Sequence, residues 1–147
     1  VFAENQYTWK NVKFHSSFVS DLNNKPITGL FTRITKYPES GLKVVNRYKN
    51  GLLNGTSKMY HINGKLKSTM NYQNSLLNGE TKLYDKYGKL RVINNYEKNK
   101  KNGISKIYND NSTFHINYIN DLPVNGFSIN SNGVKITLSK NDLKEFY

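Results

Sequence analysis

The sequence predicts an all-β fold: an elongated, single antiparallel sheet of stacked β-hairpin repeats with a short C-terminal helix. The first observation behind this prediction is a repeat, because Asn-Gly pairs end at Gly55, Gly79 and Gly103, two equal steps of 24 residues. A fixed period in this range is typical of repeat architectures. The second observation is a two-residue alternation of side-chain character between the turns, the pattern of half-buried strands.

Each 24-residue stretch is predicted to form one β-hairpin. Its first strand ends in Lys-x-Tyr, and a glycine-containing turn follows, at Asn63-Gly64 in one repeat and at Tyr87-Gly88 in the next. Glycine and asparagine tolerate the positive φ angles that tight turns need. The return-strand residues predicted to share one face are Leu66, Ser68, Met70 and Tyr72 in one hairpin, and Leu90, Val92, Asn94 and Tyr96 in the next.

The N-terminal residues 1–24 are predicted to form a segment that caps the open end of the sheet. A capping hairpin is expected here, with Tyr7 and Trp9 on one strand and the apolar run 14–19 on the other. Terminal repeats are usually atypical because they shield a sheet end. The residues 1–3, Val-Phe-Ala, are similar to the end of a signal peptide cleaved after Ala3, with a sequence left from cloning as the alternative.

Residues 25–138 are predicted to hold five hairpin repeats and about ten strands. Pro26 and Pro123 precede the first and last repeats, where a connection outside the strand ladder suits proline. The first repeat carries an insertion at 37–41, the fourth turns at 109–112 without a glycine, and the fifth turns at 132–133.

Residues 139–147 are predicted to form a capping helix. Ser139 and Asp142 have the spacing of a capping box, and Leu143 lies on the apolar side of the helix.

The amino-acid composition excludes some kinds of site and favours one class of ligand. The 147 residues contain no cysteine, so disulfides, thiolate nucleophiles and cysteine zinc sites are excluded. The formal net charge is +12, and residues 28–138 hold 17 Lys or Arg against 6 Asp or Glu. Such a balance favours association with anions, and it is equally typical of a soluble, self-repelling surface.

The sequence shows no set of residues typical of a catalytic site. His15, His61 and His115 fall in different parts of the pattern without metal-ligand spacing, and no paired acid and base stands out. The sequence therefore predicts a protein that is not an enzyme and that uses no cofactor and no metal.

A Lys-x-Tyr pair recurs at the equivalent position of three repeats, and these pairs are the candidate anion- or partner-binding site. A row of cations beside aromatic rings, two strands apart in each step, could follow an extended anion or a row of anionic headgroups. The alternative is that the tyrosines form a packed spine while the lysine stems cover it and keep the face soluble. The residues are Lys58, Tyr60, Lys82, Tyr84, Lys106 and Tyr108.

The repeats resemble the MORN-variant repeat family of bacteria, whose members often carry the label of antitoxin component in toxin–antitoxin pairs. The resemblance covers about residues 25–138 and is carried by Lys-Pro-Ile-Thr-Gly at 25–29, Tyr-Lys-Asn-Gly-Leu-Leu-Asn-Gly at 48–55, Asn-Gly-Lys-Leu-Lys at 63–67 and Tyr-Asp-Lys-Tyr-Gly-Lys-Leu at 84–90. It implies an elongated antiparallel sheet that interacts with protein or lipid, and it implies no catalytic residues.

The functional expectation is a non-enzymatic interaction module, exported from the cytoplasm and monomeric, that binds a protein partner along its sheet. The first alternative is a basic sheet that binds anionic lipid headgroups or another polyanion, and the second is an antitoxin-like inhibitor of a partner toxin. No run of about 20 apolar residues is present, so no transmembrane segment is expected.

Overall fold

The computed structural model describes residues 5–8, 10–34 and 43–147. Within these residues the chain forms 15 strands and one C-terminal 3₁₀ helix. Backbone contacts divide the chain into two compact units, a first unit Val1–Leu76 and a second unit Leu77–Tyr147. The prediction of an all-β fold built from antiparallel hairpin repeats, with a short helical turn at the C-terminus, is confirmed.

The first unit is a sheet with a small hairpin beside it. Its hydrogen-bonded order is β1-β4-β5-β7-β8, with β6 on β5, while β2 and β3 form a separate two-stranded sheet. Neighbours are antiparallel except β1, which is parallel to β4. The bounds are β1 Gln6–Thr8, β2 Val12–Phe14, β3 Val19–Asp21, β4 Gly29–Ile34, β5 Lys43–Lys49, β6 Leu52–Leu53, β7 Gly55–Tyr60 and β8 Leu66–Gln73.

The second unit is an antiparallel sheet in the order β9-β10-β12-β13-β14-β15, with β11 on β10. Strand β9 starts one residue before the boundary between the units. The bounds are β9 Leu76–Tyr84, β10 Leu90–Glu97, β11 Lys100–Lys101, β12 Gly103–Tyr108, β13 Ser112–Ile119, β14 Leu122–Asn130 and β15 Lys135–Thr137. The 3₁₀ helix spans Asp142–Phe146.

The tips of the hairpins lie where the sequence predicts them. Gly64, Gly88 and Gly133 have φ of 80°, 87° and 76°, the left-handed region that glycine adopts without strain. Such a tip closes when the N–H of His61 donates to the carbonyl of Lys65. The fourth repeat lacks the glycine, and its hairpin closes one residue sooner, from Asn109 N–H to the carbonyl of Ser112.

The turns that connect one hairpin to the next are two-residue turns with positive φ at both positions. This is the type I′ geometry that matches strand twist, and asparagine, aspartate and glycine favour it. The pairs are Asn50-Gly51, Asn74-Ser75, Lys98-Asn99 and Asn120-Asp121.

The second residue of three connecting turns also hydrogen-bonds the repeat before it. Asn99 donates its N–H to the carbonyl of Leu77 at 2.9 Å, and its Oδ1 accepts the N–H of Leu77 at 2.6 Å. Asp121 forms the same pair with Lys101, at 2.9 and 2.7 Å. Ser75 does so with Leu53, at 2.8 and 3.1 Å. Successive hairpins are therefore joined by side-chain contacts in addition to the strand ladder.

Four tyrosines mark one face of the sheets. Each has a glycine as its cross-strand partner, so the ring packs over backbone that carries no side chain. Burial raises the pKa of all four phenols, and Tyr48 lies close enough to Tyr72 for their charges to interact, as Tyr96 does to Tyr118. The pairs are Tyr48 with Gly29, Tyr72 with Gly55, Tyr96 with Gly79 and Tyr118 with Gly103.

In each unit we call the face that carries two of these tyrosines the tyrosine face, and the opposite one the lysine face. The predicted alternation is interrupted by a bulge, because Leu66 pairs with Tyr60 while Ser68 pairs with Met59. The same shift occurs between Leu90 and Val92. Cross-strand partners share a face, so Leu66 and Leu90 leave the face of the other predicted return-strand residues.

The N-terminal residues cap the first unit, but they do not form the predicted hairpin. Tyr7 lies on β1, which pairs with β4 and not with the following strand. The run 14–19 holds a turn, since the N–H of His15 donates to the carbonyl of Phe18 and the two rings stack at 4.3 Å. The hairpin is β2–β3, and a buried cluster joins it to the tyrosine face: Val12, Val19, Ile27, Phe31 and Tyr48.

The C-terminal segment caps the second unit on its tyrosine face. Leu143 is buried against Ile116 and Tyr118, and the Tyr118 hydroxyl donates to the carbonyl of Phe146 at 3.0 Å. The Asp142 carboxylate accepts from Ser139 N–H and Oγ–H at 2.7 Å each, while Ser139 Oγ accepts the N–H of Asp142 at 3.2 Å. The capping pair predicted from sequence is present, although the helix is a 3₁₀ helix.

Several sequence predictions lie outside the described residues. These are the signal-peptide similarity at 1–3, the place of Trp9, and the insertion at 37–41.

Candidate functional site: the lysine faces

The lysine face of the first unit is built by the register of β5, β7 and β8. Lys58 has Val45 on one side and Thr69 on the other. Tyr60 pairs with Lys43, whose Nζ lies 5.5 Å from the centroid of the tyrosine ring. The predicted pair Lys58 and Tyr60 therefore lies on one face, where a second lysine joins it.

Charge is segregated between the two faces of β5. Lys43, Arg47 and Lys49 alternate with Val44, Asn46 and Tyr48, so the cations share the lysine face and the uncharged residues share the other. The sequence holds no Asp or Glu from 40 to 79, but it holds six Lys or Arg there. The lysine face of β5, β7 and β8 is thus positive without a carboxylate in its own strands.

The second unit places its two predicted lysines on either side of one strand. Lys82 and Lys106 both pair with Ile93 of β10, so they share a face two strands apart. Lys82 Nζ lies 2.7 Å from the Glu80 carboxylate, and this hydrogen bond raises the pKa of the Lys82 ammonium. At the position two residues before lysine, Lys58 has Thr56 and Lys106 has Ile104. Equivalent positions in the repeat therefore carry different local charge.

The remaining tyrosines of the candidate site are half-buried on this face. Tyr84 pairs with Leu90, and Tyr108 pairs with Thr113. Both phenols lie near enough to Lys82 to favour its charged form, after the larger effect of Glu80. Lysine and tyrosine are thus neighbours within each unit, as the Lys-x-Tyr pattern predicts, while common action of the six residues in binding stays a prediction.

A charged network joins two hairpin tips of the second unit. Arg91 Nε donates to Asp85 at 2.8 Å, and its Nη1 donates to Asp110 at 2.9 Å. Lys89 Nζ reaches Asp110 at 3.0 Å. Hydrogen bonds from Lys89 and Arg91 lower the pKa of the Asp110 carboxyl. Asp85 thus binds a cation of its own hairpin, whereas Asp110 binds two cations of the preceding hairpin. Sequence reasoning did not identify the contacts of Asp110 because Lys89 and Arg91 lie about 20 residues before it.

Exposed apolar side chains accompany the cations in the second unit. Ile104 is 51% exposed and pairs with Asn117 on the lysine face. Ile119 and Leu122, which are 52% and 56% exposed, pair with each other beside the last connecting turn. A face that mixes cations with apolar groups suits a protein surface better than a uniformly polar ligand.

The tyrosine face of the first unit carries a shallow groove of about 220 Å³. At its floor the Ser57 hydroxyl is buried without a hydrogen-bond partner, as are the repeat-equivalent hydroxyls of Thr81 and Ser105 in the second unit. Each of the three residues directly precedes a lysine of the candidate site, a coincidence of spacing that is visible in the sequence. The groove-lining residues include Val44, Asn46, Leu53, Met59, Ser68, Met70 and Tyr72.

The histidines are dispersed. His15 hydrogen-bonds Ser20 Oγ at 2.9 Å, His61 lies at the start of a hairpin tip, and His115 stacks on Phe127 with ring centroids 4.6 Å apart. Among the residues that the structure describes, no three His, Cys, Asp or Glu side chains lie together as metal ligands would. No helix within the described ranges has the length and apolar character needed to cross a bilayer.

Comparison with known proteins gives no match: neither a protein-family model nor a curated protein matches this chain.

Proposed function

We propose that the chain is a non-enzymatic interaction module that binds an acidic protein partner through the lysine face of its first unit. The observation that carries the proposal is the segregation of charge in β5 and β7. Lys43, Arg47, Lys49 and Lys58 share a face, while the sequence has no carboxylate from 40 to 79. The resemblance of the repeats to the MORN-variant family, which implies interaction with protein or lipid, supports this proposal.

The proposed face has room for a partner because the caps lie on the other side. The β2–β3 hairpin packs on the tyrosine face through Phe31 and Tyr48. Lys43, Arg47, Lys49 and Lys58 are all exposed. A field of one sign speeds the encounter with an oppositely charged protein and disfavours basic competitors.

The expected electrostatic contribution is moderate. An exposed ion pair is worth roughly 0.2–1 kcal/mol. Four such pairs would contribute about 2 kcal/mol in total, which corresponds to a change in Kd of roughly 30-fold. The tyrosine side chain of Tyr60 adds apolar contact area at low entropic cost, as tyrosine does in many interfaces. Binding should therefore weaken with salt without vanishing.

Affinity purification of the tagged chain from its native cells tests the proposal. We expect a stoichiometric protein partner whose recovery falls when Lys43, Lys49 and Lys58 are replaced by Gln. The matched control replaces Lys98, Lys140 and Lys144 by Gln, three exposed lysines of the second unit, and removes the same charge. If both variants retain or lose the partner equally, the face of the first unit is not the binding site.

A second candidate function is binding to anionic lipid headgroups or another polyanion, and the lack of carboxylates from 40 to 79 favours it too. Each basic residue near an anionic membrane surface is worth about 1 kcal/mol. Vesicles with and without phosphatidylserine separate the candidates. A polyanion binder responds to charge density alone, whereas the proposed module distinguishes its partner from other acidic proteins at equal salt.

The antitoxin-like function is a special case of the first proposal. It requires the recovered partner to be a toxin whose growth inhibition is relieved by co-expression of this chain. Export of the chain and a cytoplasmic toxin would contradict that version while leaving the interaction module in place.

A further inference from the structure

A second cationic cluster lies on the lysine face of the other unit, around His115. This residue pairs with Lys106 on β12 and with Phe127 on β14. The imidazole stacks on the Phe127 ring with an interplanar angle of 11°. Lys135 of β15 places its Nζ 3.9 Å from the centroid of the same ring. The imidazole and the ammonium group of Lys135 thus contact the same aromatic ring.

The surroundings of His115 are positive. From β12 it faces Lys106 and the phenol of Tyr108, while Lys135 lies on β15, on the far side of the strand that carries Phe127. Its partner strand β14 contributes Asn125, Phe127 and Ile129 on this face, and β13 itself contributes Thr113 and Asn117. None of these flanking residues, all of which are described, is Asp or Glu. Burial lowers the pKa of the imidazole, and Lys106 and Lys135 lower it further.

The acidic residues nearest in sequence are engaged elsewhere. Asp110, at the tip of the β12–β13 hairpin, binds Lys89 and Arg91. Asp121, in the next connecting turn, accepts the N–H of Lys101. The two lysines and the imidazole therefore lack a carboxylate on their own strands that could neutralise them, and a bound anion would relieve their mutual repulsion.

We propose that Lys106, His115 and Lys135 form a binding site for a phosphate monoester carried by a side chain of a partner protein. A phosphate monoester has a charge near −2 and three strong acceptor oxygens, which match two ammonium groups and one imidazolium. Hydrogen bonds between such charged groups are stronger than those between neutral groups. A phosphodiester offers one charge and fewer free oxygens, so the same three donors would be poorly satisfied.

The site has a built-in dependence on pH. The imidazole is neutral in the free protein above its lowered pKa, and it then offers one N–H without charge. A bound dianion favours the imidazolium, so binding takes up a proton. Affinity for an anion of constant charge should therefore rise as the pH falls through the titration of His115. This site lies in the second unit and is independent of the lysine face proposed for the acidic partner.

Nuclear magnetic resonance of the full chain with sulfate as probe tests this inference, because sulfate keeps its charge throughout. At constant ionic strength, sulfate should shift the ring signals of His115, while those of His15 and His61 serve as internal controls. We expect about a tenfold tighter sulfate Kd at pH 5 than at pH 8 if proton uptake accompanies binding. Equal responses of all three rings would overturn the proposal.

Two lysine variants locate the site. Lys106→Gln and Lys135→Gln should each weaken the sulfate response of His115 by about tenfold, the scale of one charge-assisted contact. The matched control is Lys98→Gln, which removes one exposed lysine of the second unit at a connecting turn. An unchanged response in both site variants, or an equal loss in the control, would show that the anion binds to diffuse charge only.

The source of the phosphate is tested with two further probes. N-acetyl-O-phosphoserine amide should shift His115 more than unphosphorylated N-acetylserine amide does. Phosphatidylcholine vesicles that contain phosphatidic acid supply the same monoester from a lipid. The vesicles could bind in a way that depends on Lys106 and Lys135 while the phosphoserine probe does not bind. In that case the phosphate belongs to a lipid, and the proposal of a partner protein is wrong.

Discussion

Replacement of Asn99 by Gly distinguishes two explanations of why Asn99 occupies its connecting turn, because they predict changes of opposite sign in the free energy of unfolding. Asn99 is the second residue of a type I′ turn with φ of 72°. Turn chemistry alone favours glycine at this position, so it predicts that Asn99→Gly is neutral or stabilising. In the structure, however, Asn99 Oδ1 accepts the N–H of Leu77 at 2.6 Å. Loss of that acceptor leaves the N–H of Leu77 without this partner.

The expected magnitudes follow from these contacts. A net hydrogen bond is worth about 1 kcal/mol, and glycine also raises the entropy of the unfolded chain by roughly 0.4–1 kcal/mol. Glycine also relieves the left-handed strain at this position, which offsets roughly the entropy term, so Asn99→Gly should cost about 1 kcal/mol. Asn99→Ala loses the same bond and adds left-handed strain, for a total of about 2–3 kcal/mol. Asn99→Asp keeps an acceptor oxygen and should cost less than about 0.5 kcal/mol.

Urea denaturation followed by circular dichroism measures the free energies, and hydrogen exchange at the Leu77 amide gives a local reading. Exchange protection at Leu77 should fall about fivefold in Asn99→Gly and stay unchanged in Asn99→Asp, because about 1 kcal/mol corresponds to that factor. Asn24→Gly is the control, since Asn24 also has positive φ, at 65°, but its Oδ1 meets only the exposed Lys13 ammonium. A variant Asn99→Gly as stable as the wild type would refute the role of the side chain in joining repeats.

Four further outcomes follow from the structure. Leu143→Ala should destabilise the second unit by about 2–3 kcal/mol because it opens the cluster with Ile116 and Tyr118, whereas Ile136→Ala, at a residue 55% exposed, should change stability by less than about 0.5 kcal/mol; thermal melts compare the two. Ser105→Ala should stabilise the fold by up to about 1 kcal/mol in urea denaturation, since it removes a buried hydroxyl that has no partner. Asp110→Asn should lower the melting temperature at pH 7 but not at pH 2. The pKa of this carboxyl is lower in the folded protein than in the unfolded chain, so its charged form stabilises the fold above the unfolded pKa near 4. That stabilisation is lost as the pH falls through the folded pKa. Absorbance at 295 nm should show a group of late-titrating phenols above pH 10, since burial raises the pKa of Tyr48, Tyr72, Tyr96 and Tyr118, and replacing Tyr118 by Phe should remove part of that group.

Much of the fold could be predicted from the sequence because the repeat duplicates its own turn signals. Gly64, Gly88 and Gly133 each close a hairpin tip, and the alternating residues between them form the strands. The helical turn at the C-terminus was predicted from the spacing of Ser139 and Asp142, which hydrogen-bond each other in the structure. Local chemistry determined these features, so a local pattern was enough to find them.

Features that depend on contacts between distant residues were not predicted. Nothing near Tyr7 indicates a parallel pairing with β4, because that choice depends on residues about 24 positions later. The run 14–19 is apolar, yet its residues serve a turn and a buried cluster instead of a strand. Bulges at Lys67 and Arg91 were missed for the same reason, since a bulge is a property of two paired strands.

The candidate site was predicted in part. The pattern placed Lys58, Lys82 and Lys106 at equivalent positions, and the register keeps Lys82 and Lys106 on one face. It did not show that Glu80 pairs with Lys82, or that the cations of β5 share the face of Lys58. The alternation of Lys43, Arg47 and Lys49 was a usable signal, because period-two spacing places them on one side of a strand.

The most direct test of the central claim is to map where an acidic polypeptide binds. Amide chemical-shift mapping with poly-L-glutamate, at roughly 50 mM and 200 mM salt, covers a range in which screening of exposed charges changes strongly. The proposed function predicts shifts concentrated on β5, β7 and β8 around Lys43, Arg47 and Lys58, weaker at the higher salt and lost in the triple Lys43, Lys49 and Lys58 variant. Shifts spread evenly over all exposed lysines, including Lys98, Lys140 and Lys144, would contradict it.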